Sequence, residues 1–296
     1  MEIAYYPGCS LQQSSSLYDH QTRMIFSRLG VELKEIEDWN CCGATSAGKV
    51  DDFLAVVMPA RNIGIAESAG FTEMVIPCSA CYSRTIVAQK RMQDNPELRD
   101  EINSGLTAKI KGSIRISTIM EVFLNHVSPD LIKQKLTHKF RGLKPVCYYG
   151  CMQTRFPYNV PASDNVENPQ AMETLLKLFG IRALDWNYKT YCCGASAAVN
   201  DPDTALNLMA KIMKEAAARG ANCFVTTCPM CQMNLDANQE AFCKKHDIKE
   251  RLPVYFITEL AGAAFGISPE DMQVDRHFID SMTLLKELEQ NEHKDK

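Results

Sequence analysis

Apolar positions along the chain come in short blocks whose period changes from block to block. Ile3 to Tyr6 is a brief apolar run of strand type. Ser16 to Leu29 carries apolar residues at helical spacing and stops at Gly30, a C-terminal helix signal. Val31 to Ile36 reads as a second strand, Asp51 to Ala69 as a helix ended by Gly70, and Glu73 to Ile76 as a third strand. The same succession begins again at Val146. Strand, helix, strand, helix, strand at this spacing predicts parallel α/β units of about 145 residues each. The predicted fold class is therefore α/β: two duplicated Rossmann-like parallel-sheet units related by pseudo-two-fold symmetry. Residues 1–143 form the first unit and 144–296 the second, with the boundary in the basic stretch from His138 to Pro145. The charged tail from Leu284 to Lys296 is expected to be a surface helix that frays.

The cysteines repeat with the elements. Cys9 follows Tyr5-Tyr6-Pro7-Gly8, and Cys151 follows Tyr148-Tyr149-Gly150. Cys41-Cys42-Gly43-Ala44 recurs as Cys192-Cys193-Gly194-Ala195, and the pair Cys78 and Cys81 recurs as Cys228 and Cys231. Gly30 maps to Gly180 and Cys78 to Cys228 at +150, and Cys41 maps to Cys192 at +151, but Cys9 maps to Cys151 at only +142. About eight extra residues thus lie in the second half, placed in the Pro- and Asn-rich stretch from Phe156 to Pro169.

Composition narrows the classes. In 296 residues, 46% hydrophobic and 23% charged are ordinary globular values. A net charge of −4 with no basic block gives no footprint for nucleic acid, and no apolar run approaches the roughly 18 to 20 residues of a membrane span. The opening MEIAYYPGCS has no apolar signal region, and thirteen cysteines is an odd number for a disulfide scaffold. Both point to a cytoplasmic, thiol-rich protein whose cysteines are ligands or catalysts. No GxGxxG or Walker loop is present, so neither flavin nor nicotinamide is expected in this chain.

All ten repeated cysteines follow predicted strands, where open parallel sheets gather ligands and where helix N-termini favour thiolate. Small buried hydrophobes are the plain alternative. Zinc would use four thiols of each five, and a thioredoxin-like CxxC would leave the adjacent pair idle. An iron-sulfur cluster is held by thiolates, but no ferredoxin run is present, and five ligands with two adjacent point to an open cluster or shared ligands.

The pattern of a lone cysteine, a Cys-Cys-Gly and a CxxC, twice over nearly the whole chain, resembles the cysteine-rich (CCG) family, and within it the stand-alone B subunits of methanogen heterodisulfide reductases. That resemblance implies two noncubane 4Fe-4S clusters. Cys9, Cys41, Cys42, Cys78 and Cys81 would hold one, and Cys151, Cys192, Cys193, Cys228 and Cys231 the other. It also implies reduction of the mixed disulfide of coenzyme M and coenzyme B, with electrons from a ferredoxin-like iron-sulfur subunit fed by a flavoprotein. CCG pairs also occur in iron-sulfur subunits of glycolate, lactate and succinate oxidoreductases, so an electron-transfer role without an organic substrate is the alternative.

Two one-electron sites match one two-electron bond, which predicts that the halves face each other across the substrate. Its anionic groups need cations, and the candidates are Arg155, Arg84 and Lys49, each also readable as a solvated charge. The Phe156 to Pro169 insertion is a candidate pocket wall, and His20 a candidate proton donor. Cys147, Cys223 and Cys243 have no place in the repeat; the first two are expected in strands facing the core.

Overall fold

The computed structural model describes residues 1–44, 46–137, 140 and 142–287. The predicted boundary stretch therefore lies partly outside the described residues, and the tail lies outside them beyond residue 287.

The first half runs β1 (Glu2–Tyr5), α1 (Gly8–Gln12), α2 (Ser16–Arg28), β2 (Glu32–Glu35), α3 (Ala47–Val50), α4 (Leu54–Ser68), β3 (Glu73–Val75), α5 (Ser79–Asp94), α6 (Pro96–Gly105), β4 (Arg115–Ser117), α7 (Ile119–His126) and α8 (Pro129–Lys135). The second runs β5 (Pro145–Cys147), α9 (Ala171–Leu178), α10 (Pro202–Ala218), β6 (Cys223–Thr226), α11 (Pro229–Ala237), α12 (Gln239–His246), β7 (Val254–Phe256) and α13 (Ile257–Ala264). The strands pair in the orders β2-β1-β3-β4 and β5-β6-β7, and every pairing is parallel. The α/β class with parallel sheets is thus observed.

One predicted strand is missing. The counterpart of β2 is reduced to a single bridge between Val146 and Leu184. In the first half the Ile36 amide donates to the Tyr5 carbonyl at 3.1 Å and continues the ladder. The equivalent carbonyl, that of Cys147, instead accepts the Trp186 indole N–H at 2.9 Å. A side chain has taken the acceptor that the edge strand needed. Conversely, α1 begins at Gly8 and places Cys9 in its first turn, a short helix the apolar pattern does not signal.

Helices from the two halves share one core. Helix α2 packs on α13, and α7 on α9, a reciprocal exchange in which a helix between the first strand and the Cys-Cys pair of each half meets the helix that follows the last strand of the other. Tyr18 stacks on Phe256 with ring centroids 3.9 Å apart. Phe26, Phe123, Phe179 and Phe265 continue the contact as a chain of aromatic pairs. All of these rings are buried, and fully burying a side chain of this size contributes roughly 1.5 to 3 kcal/mol. Polar groups cross the same seam: Gln21 donates to Glu259 at 2.9 Å, and Glu259 pairs with His277 at 2.9 Å. The predicted core positions of Cys147 and Cys223 are observed, both wholly buried in strands, and Cys243 is buried on α12.

Candidate metal centre

Each cysteine set is assembled by three loops at the carboxyl ends of the strands. Cys9 follows β1, the Cys41-Cys42 pair follows β2, and Cys78 caps the N-terminus of α5, just after β3. In the second half Cys228 caps α11 in the same way after β6.

Two glycines open the space. Gly8 and Gly150, each one residue before the lone cysteine of its half, have φ of +74° and +66°. A Cβ on Gly8 would stand 2.7 Å from Cys81 Sγ, and one on Gly150 2.8 Å from Cys231 Sγ. Only a residue without a side chain lets the backbone approach the thiol so closely while adopting this left-handed conformation.

Two tyrosines fix the paired cysteines. The Tyr6 hydroxyl donates to the carbonyl of Asn40 at 2.9 Å, and the Tyr148 hydroxyl to that of Tyr191 at 2.6 Å. Asn40 and Tyr191 each immediately precede a Cys-Cys pair, so the same brace recurs. Burial, followed by the neighbouring thiols, holds both phenols well above their ordinary range and keeps them neutral donors.

Within each set the five thiols are linked. In the first, Cys9 lies near Cys41, Cys41 interacts with Cys42, Cys42 with Cys81 and Cys81 with Cys78. In the second, Cys151 interacts with Cys192 and senses Cys193 and Cys228, while Cys231 contacts Cys193, 3.6 Å away, and Cys228. Protons are shared unevenly. Donation from Cys41 and Cys81 drives Cys42 down, helped by the Ala44 amide and by Arg84, while Cys41 and Cys81 go up. Cys151 and the Gly194 amide lower Cys192 against the effect of burial, and Cys231 with its helix-end amide lowers Cys228. Cys42, Cys192 and Cys228 are thus biased toward the thiolate, the form that binds metal, while Cys41, Cys81, Cys151 and Cys231 are pushed the other way.

The two sets meet. Ser79, next to Cys78, reaches the thiol of Cys228 and hydrogen-bonds Gln153 at 3.2 Å; Gln153 also accepts from Thr227 at 2.8 Å. Tyr18, buried between, donates to the Thr227 carbonyl at 3.0 Å and feels both Cys228 and Cys78.

A model for the cysteine-rich domain, CCG, matches residues 3–84 and 146–236. The chain belongs to the cysteine-rich (CCG) domain family. The matched stretches contain all ten repeated cysteines and leave out Cys243. Among full-length relatives of this CCG protein, it is 31% identical over 286 residues to the 8-methylmenaquinol:fumarate reductase membrane anchor subunit of Wolinella succinogenes, covering 96% of this chain and 99% of that one. It is 25% identical to the B subunit of the ferredoxin/F420H2-dependent CoB-CoM heterodisulfide reductase of Methanosarcina acetivorans, covering 97% of each. A crystal structure of a hypothetical protein from Helicobacter pylori shares the fold, with a TM-score of 0.69 at 12% identity, over 94% of this chain and about half (51%) of that one. Among the described residues no helix is long and apolar enough to cross a membrane.

The donor set of the CCG protein fits the cluster that the family implies. Among the described residues no group of three or more His, Cys, Asp or Glu closes around a single ion. The thiols of each set lie in pairwise contact, and the backbone at Gly8 and Gly150 approaches the Cys81 and Cys231 thiols too closely to admit a Cβ. That arrangement suits several irons bridged by sulfide.

The candidate cations separate. Arg84 and Lys49 line one cleft of about 690 Å3 with Arg91, Tyr158 and Ser196, so segments just beyond both Cys-Cys-Gly motifs and the insertion border it. Arg155 is exposed and bound to Glu167 and Thr190, at 3.2 and 3.3 Å, tying down the insertion rather than lining this cleft. His20 is exposed on α2 and its ring nitrogen meets the Asp271 carbonyl at 3.1 Å, so the structure does not bring it to the cysteines. Sequence reasoning missed the Tyr6 and Tyr148 braces, the glycine cradles, Ser79 and Gln153. The glycines were open to detection, because each recurs one residue before a repeated cysteine.

Proposed function

We propose that this chain is the catalytic iron-sulfur subunit of a multi-subunit oxidoreductase and that it reduces a mixed disulfide, the coenzyme M and coenzyme B heterodisulfide, to two thiols. Each half, 1–143 and 144–296, is a cluster-binding unit, with Cys9, Cys41, Cys42, Cys78 and Cys81 holding one noncubane 4Fe-4S cluster and Cys151, Cys192, Cys193, Cys228 and Cys231 the other. When bound, the pair supplies the two electrons that cleavage of one S–S bond consumes.

The observation that carries this reading is the cleft bordered by Gly48 and Lys49, a few residues beyond Cys42, and by Ser196, three residues beyond Cys193, which offers Lys49 and Arg84 to an anionic ligand. Arg91 on the same wall is held by Asp52 at 2.7 Å and adds little net charge. Tyr158 and Pro157 of the insertion close the far side, the wall expected of that segment. Cationic forks suit carboxylate, phosphate and sulfonate groups. Electrons arrive from a ferredoxin-like iron-sulfur subunit supplied by a flavoprotein, in the cytoplasm.

A second reading is favoured by the relative at 31% identity over 99% of its length: an electron-transfer iron-sulfur subunit of a fumarate or succinate oxidoreductase, binding no organic substrate. Anaerobic purification followed by iron and sulfide analysis tests the clusters, and viologen-linked turnover of the heterodisulfide then decides between the readings. Loss of that turnover in Lys49→Ala and Arg84→Gln protein with full iron content is the expected result. A loaded protein inert to the disulfide but able to pass electrons to a fumarate-reducing partner would establish the second reading.

A further inference from the structure

We infer that Arg84 makes the two centres unequal, so that the first electron the protein accepts resides at the first-half centre, held by Cys9, Cys41, Cys42, Cys78 and Cys81. This rests on the proposal that each cysteine set holds a cluster.

The two ligand sets are the same five residues, so any difference between the centres must come from their neighbours. Aligning Cys81 with Cys231 at +150 sets Arg84 opposite Asn234, and aligning Cys42 with Cys193 at +151 sets Lys49 opposite Asn200. Arg84 and Asn234 each stand three residues beyond the last cysteine, on the same face of α5 and α11 as that cysteine. Asn234 is buried and uncharged, and its side-chain amide donates to the Cys193 carbonyl at 2.7 Å. Arg84 has a buried Nε without a hydrogen-bond partner and stands one helical turn beyond Cys81 on α5.

Other arginines nearby are neutralised. Arg91, two turns further along α5, pairs with Asp52, and Arg155 with Glu167. No ion pair of Arg84 occurs among the described residues, so its charge stands unneutralised one helical turn from Cys81. At the corresponding place in the second half the neutral Asn234 amide is spent on the Cys193 carbonyl, so that position supplies no charge to the second set.

Adding an electron adds a negative charge, and a partly buried cation nearby stabilises the reduced form more than it would in water. Lys49, exposed at the cleft, adds to the same side with more screening. The step is a one-electron uptake from a low-potential donor, a reduced viologen or the iron-sulfur partner; no bond forms or breaks. Arg84 thus orders the centres: an electron entering at either one settles in the first half, beside the cations that would bind an anionic substrate.

The test uses the anaerobically purified full chain with iron and sulfide quantified, titrated with reduced viologen and followed by electron paramagnetic resonance and Mössbauer spectroscopy. Cys42→Ala and Cys193→Ala protein identify which signal belongs to which half. In the unmodified protein the first electron should give the signal that is lost in Cys42→Ala. Arg84→Gln should move the distribution toward the second centre on the order of tenfold, and Arg84→Lys should largely restore it. If the first electron gives the signal that survives in Cys42→Ala, or if Arg84→Gln with full iron leaves the distribution unchanged, Arg84 does not order the centres, while the two-cluster reading stands. Protein without iron and sulfide overturns both. Should Arg84→Gln fail to load, the signal assignment in the unmodified protein still decides.

Discussion

In the first half, β2 lies along β1 for four residues before the chain reaches Cys41; in the second, a single bridge at Leu184 precedes Cys192. In both halves the second cysteine of the pair nevertheless reaches the last cysteine of the CxxC, Cys42 to Cys81 and Cys193 to Cys231. The first half positions its loop with a strand and the Tyr6 brace. The second lacks the strand but adds two bonds, from the Tyr149 and Gly150 amides to the Lys189 carbonyl at 2.9 and 3.0 Å, to the Tyr148 brace. Lys189 is itself buried and paired with Glu173 at 2.7 Å. What recurs across the duplication is this thiol contact and the tyrosine brace, while the strand support around them differs.

The comparison can be broken most severely at the cysteines. Replacing Cys81 or Cys231 by Ala removes a fully buried thiol at the junction of its set, and each change should abolish one centre and leave the other, halving iron per chain. Loss of all iron from either single variant would show that the halves do not load independently. Next come the cradles. Gly8→Ala and Gly150→Ala force a Cβ to within 3 Å of a thiol at positive φ, with a backbone cost of about 1 to 3 kcal/mol; iron should fall in the altered half alone, and urea midpoints of iron-free protein should drop for both.

The seam between halves gives a pH signature. Burial opposes protonation of His277, but the Glu259 carboxylate, with Asp236 and Asp275, outweighs it and raises the imidazole above its ordinary 6.5. A raised folded value means that the stabilisation is complete below 6.5 and is lost as pH climbs through the folded value. Thermal midpoints should therefore decline over that range, and Glu259→Gln should flatten the decline. A midpoint that rises instead would remove the His277–Glu259 ion pair from the account. Smaller still, Tyr148→Phe should cost more than Tyr6→Phe, about 1 kcal/mol against less, because the second loop lacks an edge strand to share the load. Denaturant unfolding of both variants measures the difference. Smallest, Cys147→Ser, Cys223→Ser or Cys243→Ser should leave iron unchanged and lower stability only modestly, since these residues lie in β5, β6 and α12 and outside the repeated pattern.

Much of this arrangement was legible in the one-dimensional pattern. Periodicity located β1, α2, β2, α4 and β3 to within a few residues, and Gly30 and Gly70 ended their helices as expected, because left-handed C-terminal caps select glycine. Duplication then separated the ten recurring cysteines from the three that pack the core. The Trp186 indole that displaced the second edge strand was not legible: periodicity reports which face is apolar, not which hydrogen-bond acceptor a side chain will capture. The cations were equally ambiguous. Arg155 stands four residues beyond a repeated cysteine and Arg84 three, yet one pins a surface loop and the other lines the cleft, because Arg84 continues a helix while Arg155 lies in an irregular segment within reach of Glu167 and Thr190.

The sequence by itself determined the class of fold, the duplication and the two sets of five thiols, since these follow from local periodicity and from residue identity at fixed spacing. Only the tertiary structure decided that the sets meet at Ser79 and Cys228, that Tyr18 lies buried between them, and that His20 faces elsewhere. Those are contacts between residues more than a hundred positions apart, or matters of which side of a helix a residue occupies. They arise from the packing of α2 on α13 and α7 on α9, which no local pattern encodes.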